Sequence, residues 1–217
     1  RRIEAAKTHP TGTGTGFIVS DFGHIVTNSH DIAGCQEVKV HKAGNTYDAV
    51  IVQRDRDNDL ALISANFQPS KILVPSGNNA KHMQDIFVAG YPLLSLGLGN
   101  SVKVTKGIVS ALVGDGENSS LMQIDASMMP GHSGGPIVDE TGDVVGVAVS
   151  GVNVAKVLRE EDIFVANVNW GIKGSILKNF LDASGVQLQD PPDGEVTLSE
   201  LSERVVDATL LLSHIHI

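Results

Sequence analysis

The sequence is short of cysteine and of positive charge, it has no long apolar run, and each shortage removes a class of explanation. Cys35 is the one cysteine in 217 residues, so no disulfide can form within them and the fold has to hold by packing. Sixteen Lys and Arg stand against 25 Asp and Glu, a formal charge of −9. That balance opposes the basic footprint of a nucleic-acid or anionic-membrane binder and is read as support for solubility. No stretch approaches the ~18 apolar residues of a membrane span. The opening "RRIEAAKTHP" lacks the apolar core of a secretory signal; because it starts without Met, it reads as a trimmed or processed piece.

What is present is an ordinary globular balance, 41% hydrophobic and 19% charged, which argues against a disordered chain. Short runs rich in Val and Ile recur, among them "GFIVS", "HIVTN", "EVKVH", "DLALIS", "DIFVAGY" and "DVVGVAVS". Gly, Asp, Asn or Pro separates them, the pattern of an antiparallel sheet or barrel protein. Helical spacing comes late: Ile172, Ile176, Leu177, Phe180 and Leu181 share one face near 171–183, with Gly185 as the terminating cap. The proline-bearing "FQPSKILVPSGNNAK" reads as a linker between two β units. After "QDPPDGE", Thr197 and Glu200 have capping-box spacing, Leu198, Leu201 and Val205 lie near one helical face, and "ATLLLSHIHI" reads as a strand. That terminal pair is expected to pack across the β units or to join another copy.

"MPGHSGGPIV" sets Ser133 among Gly131, Gly134 and Gly135 and stops at Pro136. Glycines concentrate where a side chain is forbidden or where another group must come close. A serine held there is either a hairpin corner or a nucleophile, and a nucleophilic serine needs a positioned base, itself held by an acceptor. His30 follows the strand-like Ile25 to Asn28, and a residue at a strand end can face a cleft. Asp59 directly precedes the apolar Leu60 to Ile63, a run that would draw it partly out of water. A surface histidine and a turn aspartate are the plain alternatives for each taken singly. "GTGTG" feeds a strand and lacks the helix and lysine of a phosphate cradle. His214 and His216 have no Cys or carboxylate cluster to complete a metal set.

In the order His, Asp, Ser, with "GTGTGFIVS", "VTNSH", "YDAVIVQRDRDNDLALI", "VAGYPL", "VKVTKGIVSAL" and "IDASMMPGHSGGPIVDETGDVVGVAV", the chain resembles the chymotrypsin-like serine proteases, and more closely the protease domain of the HtrA/Deg family. The resemblance covers most of 11–151. It implies an all-β fold of two six-stranded antiparallel barrels. The first would span 1–70 and carry His30 and Asp59, and the second would span 83–185 and carry Ser133. A linker over 71–82 and a C-terminal extension over 186–217, a helix plus a strand, complete the expected layout. The implied roles are His30 as general base, Asp59 as its orienting carboxylate, Ser133 as nucleophile, and the amides of Gly131 and Ser133 as the oxyanion hole. No cofactor and no metal is called for.

Ser127 and Met128 before the nucleophile, with Ala166 and Asn167 opposite, would line the pocket for the residue before the cut. The absence of an acid there argues against preference for Arg or Lys. The expected partners are unfolded or extended polypeptides, with no nucleic acid, no membrane span, and room for an oligomer. Family members favour an extracytoplasmic setting, and the PDZ module that often follows this domain is not seen in these residues. His132 reads as a solvent-facing turn residue, or as part of an oxyanion loop that switches between shapes. An unshifted His30 would give a rate that rises around pH ~6.5 to 7. The competing reading is a latent protease-fold module that holds peptides without cutting them.

Overall fold

The computed structural model describes residues 12–92, 101–149, 167–189 and 196–215. Twelve strands form two closed six-stranded barrels in which every pairing is antiparallel. The first barrel contains β1 (Gly12–Ile18), β2 (His24–Asn28), β3 (Glu37–Lys42), β4 (Asn45–Asp55), β5 (Leu60–Ala65) and β12 (Thr209–Ile215). The second contains β6 (Asp85–Gly90), β7 (Lys103–Ala111), β8 (Leu121–Ile124), β9 (Pro136–Asp139), β10 (Val144–Val149) and β11 (Asn169–Lys173). Two helices complete the described chain, α1 (Gly174–Ala183) and α2 (Leu198–Ala208).

Most of β1, β2 and β5 is buried, with consecutive residues packed on both faces. Ile18, Ile25, Ala61 and Ile63 point into the first barrel with Val38, Val40, Leu210 and Leu212. Their neighbours Phe17, Val19, Val26, Leu60 and Leu62 point the other way, into a core shared with Val138, Val144 and Val147 of the second barrel. A separate set fills the second barrel, including Ile86, Val88, Met122, Ile124 and Ile137. The barrels are therefore joined by a hydrophobic layer of their own, and relative sliding would have to break that packing.

Both helices seal this layer. Leu177, Phe180 and Leu181 of α1 and Leu201, Val205 and Ala208 of α2 are buried in it. Lys173 precedes α1 without a side-chain cap; the helix ends where Gly185 takes a φ of 74° and Val186 N–H reaches back to the Leu181 carbonyl at 3.1 Å. The helix is shorter than the spacing implied, since Gly171 to Lys173 belong to β11. In α2 the capping box is complete: the Thr197 hydroxyl accepts from Glu200 N–H, and the Glu200 carboxylate accepts from Thr197 N–H. Leu198, placed by its spacing on the apolar face, is 68% exposed because it starts the helix beyond the edge of the core.

The C-terminal extension, expected to pack across the barrels or to join another copy, places its strand β12 within the first barrel. It lies between β1 and β3, paired from Gly12↔His214 to Phe17↔Thr209 on one side and from Leu211↔His41 to Ile215↔Glu37 on the other. Without it the first barrel would be open. His214 is a strand residue, its ring lying where a Cβ on Gly12 would fall only 2.0 Å away; His216 lies outside the described residues. Between β5 and β6 no strand occurs over 66–84, yet the segment is tied to both barrels. Leu73 N–H donates to the Ile18 carbonyl at 2.9 Å, and Ser76 N–H donates to Asp143 at 2.8 Å.

Candidate active site

His30 sits in the turn that follows β2, held from several directions. Its own N–H donates to Asp59 Oδ1 at 2.9 Å, and its Nδ1 meets Asp59 Oδ2 at 2.7 Å. The Asp59 carbonyl accepts from Ser29 N–H at 3.1 Å and from the Asn28 side chain at 3.1 Å. Arg54 of β4 clamps the turn from outside, donating to the Ser29 carbonyl at 2.7 Å. Asp59 has a φ of 54°, a left-handed conformation that Asp tolerates better than most residues. The β4–β5 turn that holds it there is closed by Asp55, whose carboxylate accepts from the amides of Asp57 and Asn58, each at 3.0 Å.

Ser133 lies on the loop between β8 and β9. Gly134 N–H donates to the Ala148 carbonyl at 2.9 Å, Gly135 N–H to His132 at 2.9 Å, and His132 N–H to Met129 at 3.1 Å. Among the described residues, the amides of Gly131 and Ser133 donate to no protein acceptor. The glycines are required here. Gly131 and Gly134 have φ of 105° and 79°. A Cβ on Gly131 would lie 2.5 Å from the Tyr91 carbonyl oxygen, and one on Gly134 would lie 2.2 Å from that of Thr15.

Thr15 of β1 is the tie between this loop and the first barrel, and its role is not readable from "GTGTG" alone. Its hydroxyl donates to the Gly131 carbonyl at 2.6 Å and accepts from Tyr91 N–H at 2.9 Å, while its own N–H donates to the Ser133 carbonyl at 3.2 Å. It is fully buried.

The structure brings His30 and Asp59 together, with Ser133 on the facing barrel. Among the described residues no hydrogen bond joins His30 to the Ser133 hydroxyl. Instead His30 Nε2 faces Asp31 Oδ1 at 3.3 Å. The Asp31 carboxylate first and the Asp59 carboxylate second raise the His30 pKa to about 10, against a smaller lowering by burial. The unshifted value taken from the sequence therefore does not hold. Burial raises the Asp31 carboxyl, with the His30 charge opposing it.

His132 is fully buried, which overturns its reading as a solvent-facing turn residue. The loop folds its side chain inward over Gly90, where a Cβ would come within 2.9 Å of the His132 Cα. Burial lowers its pKa, partly offset by the Met129 carbonyl. Of the residues expected around the specificity pocket, Ser127 is exposed and Met128 half-buried. Asn167 is exposed with a φ of 57°, and Ala166 lies outside the described residues. The buried Asn169 of β11 holds the Ala126 carbonyl at 2.8 Å, fixing the approach to Ser127.

Comparison with known proteins bears on the fold and the family. The model of the trypsin-like peptidase domain matches residues 14–147. An uncharacterized protein, y4bJ, of Sinorhizobium fredii is 35% identical over 177 residues, covering 81% of this chain and 28% of its own length. A probable periplasmic serine endoprotease, DegP-like, of Brucella suis is 37% identical over 145 residues, covering 64% of this chain and 27% of its own length. The chain thus spans less than a third of either relative. The crystal structure of the serine endoprotease from Yersinia pestis superposes with a TM-score of 0.63 at 25% identity, over 79% of this chain and 57% of that one. With the double barrel, the matched peptidase domain and these DegP-like relatives together, the chain belongs to the trypsin-like peptidases of the HtrA/DegP kind.

Proposed function

We propose that the protein is a serine endopeptidase that cuts polypeptides through an acyl-enzyme. The observation that carries this reading is the two-point grip of Asp59 on His30, opposite a glycine-shaped loop whose Gly131 and Ser133 amides are left unengaged. Ser133 attacks the scissile carbonyl while His30 Nε2 takes its proton and then hands it to the leaving amine. Asp59 keeps the Nδ1 proton in place and stabilises the imidazolium. The Gly131 and Ser133 amides receive the oxyanion, each such donor being worth about 2.7 to 4 kcal/mol in related enzymes.

Extended or unfolded chain is the fitting substrate, because a cleft between two barrels admits a strand more readily than a folded surface. Quality control or processing of proteins in an extracytoplasmic compartment is the setting in keeping with the periplasmic relative. Ser127, Met128, Ala166 and Asn167 are the residues proposed to line the primary pocket, without an acid to select Arg or Lys. The test is digestion of a reduced and carboxymethylated protein at alkaline pH. The unmodified chain should yield fragments and Ser133→Ala should yield none; equal fragmentation by both would remove Ser133 from its role.

A further inference from the structure

The proposed triad has no use for Asp31, yet this carboxylate stands on the nitrogen through which the proton must pass. Asp31 Oδ1 is 3.3 Å from His30 Nε2, and the Asp31 side chain is 13% exposed where that of His30 is 49% exposed. Its other oxygen, Oδ2, is buried and accepts no hydrogen bond among the described residues. Gly14 of β1 covers it, since a Cβ there would sit 3.1 Å from Oδ2. His214 of β12 acts on it electrostatically. The other titratable or charged groups facing this corner are Asp59 on Nδ1, Arg54 on the Ser29 carbonyl, and Cys35, whose thiol lies 3.8 Å from the Asp31 carbonyl.

An imidazole with a carboxylate beside each nitrogen is favoured as the imidazolium, because the ring's positive charge then lies between two negative ones. The attack by Ser133 needs the opposite state, with Nε2 unprotonated and its lone pair directed at the hydroxyl. While Nε2 stays protonated against the Asp31 carboxylate, the Ser133 proton has no acceptor.

We propose that Asp31 is a brake on His30, competing with Ser133 for Nε2 and keeping the ring protonated until the pH rises or the Asp31 side chain is drawn aside. The proposal rests on His30 being the base. The raised His30 pKa of about 10 accords with it. With that value, about one ring in a thousand would be neutral at pH ~7. The buried, unpartnered Oδ2 makes the brake releasable, since withdrawal would return a desolvated oxygen to water.

The experiment is the rate of Ser133 labelling by a fluorophosphonate, followed against pH for the unmodified chain and for Asp31→Asn. The unmodified chain should label on an acid limb above about pH 9. Asp31→Asn should bring that limb down by at least about one unit and label at least about tenfold faster near neutral pH. A merely structural loss at Asp31 would lower the plateau and leave the limb in place. Coinciding limbs, or an unmodified limb near the ordinary imidazole value of about 6.5, would overturn the proposal.

Asp31→Ser serves if the Asn variant does not fold. An NMR titration of the His30 ring in Ser133→Ala, with and without Asp31→Asn, needs no catalysis. If nothing labels at any pH but the ring titration moves as expected, the protease reading alone fails. An unmoved titration ends the Asp31 brake whatever the labelling shows.

Discussion

At the scale of single residues, the site depends on groups that a motif does not reveal. The candidate triad was legible because its contexts are local: a strand end before His30, an apolar run after Asp59, glycines around Ser133. Thr15 was not, since it acquires its meaning from Tyr91 and Gly131, more than 70 residues away, and neither was Asp31, because its place beside His30 in the sequence does not say that the turn sets its carboxylate on Nε2. Thr15→Val keeps the shape of the side chain but strands the part-buried Gly131 carbonyl and Tyr91 amide, at about 1 to 3 kcal/mol in all, since neither is wholly withdrawn from water. Urea unfolding should register a loss in that range, and kcat should fall more than KM rises, with Thr15→Ser restoring most of both. His30 also links pH to stability. Its folded pKa is raised, so its contribution is complete below the unfolded value of about 6.5 and is lost as the pH rises toward about 10. The melting temperature should fall across that window, and fall less in Asp31→Asn; parallel curves for the two would contradict the linkage.

Among the elements, the strands were legible and their placement less so. "TLLLSHI" reads as a strand from composition, but its partners β1 and β3 lie at the other end of the chain, and no local pattern announces a pairing so distant. The apolar run of β4 misleads in the opposite sense: Val50, Ile51 and Val52 are 66%, 41% and 44% exposed, beside a bulge between Ile51 and Gln53. Consecutive residues point to opposite faces, so both faces of β4 are open here, and burial follows what packs against a strand and not its hydrophobicity. Leu212, 1% exposed inside the first barrel, should be a costly position. Leu212→Ala is expected to lower stability by about 2 to 5 kcal/mol, and Thr197→Ala at the head of α2 by about 1 kcal/mol. Denaturant midpoints measured side by side would show the larger shift for the strand; the reverse order would mean that β12 packs less tightly than the structure has it.

For the whole molecule, the proposed activity would be a property of the interface between the barrels. His30 and Asp59 belong to the first and Ser133 to the second, and the layer around Phe17, Leu60, Val138 and Leu177 holds them in register. The two-barrel plan was accessible from the family resemblance, whereas the closing of the first barrel by the chain's last described strand was not. The measurement that tests this account most directly is intact-mass analysis of the purified chain after fluorophosphonate treatment at about pH 10, where about half of the His30 rings are neutral. One adduct per chain, mapped to Ser133 and lost in both Ser133→Ala and His30→Ala, is the predicted result. A folded chain that takes no adduct, or takes it on another residue, would contradict a serine nucleophile activated across the barrel interface.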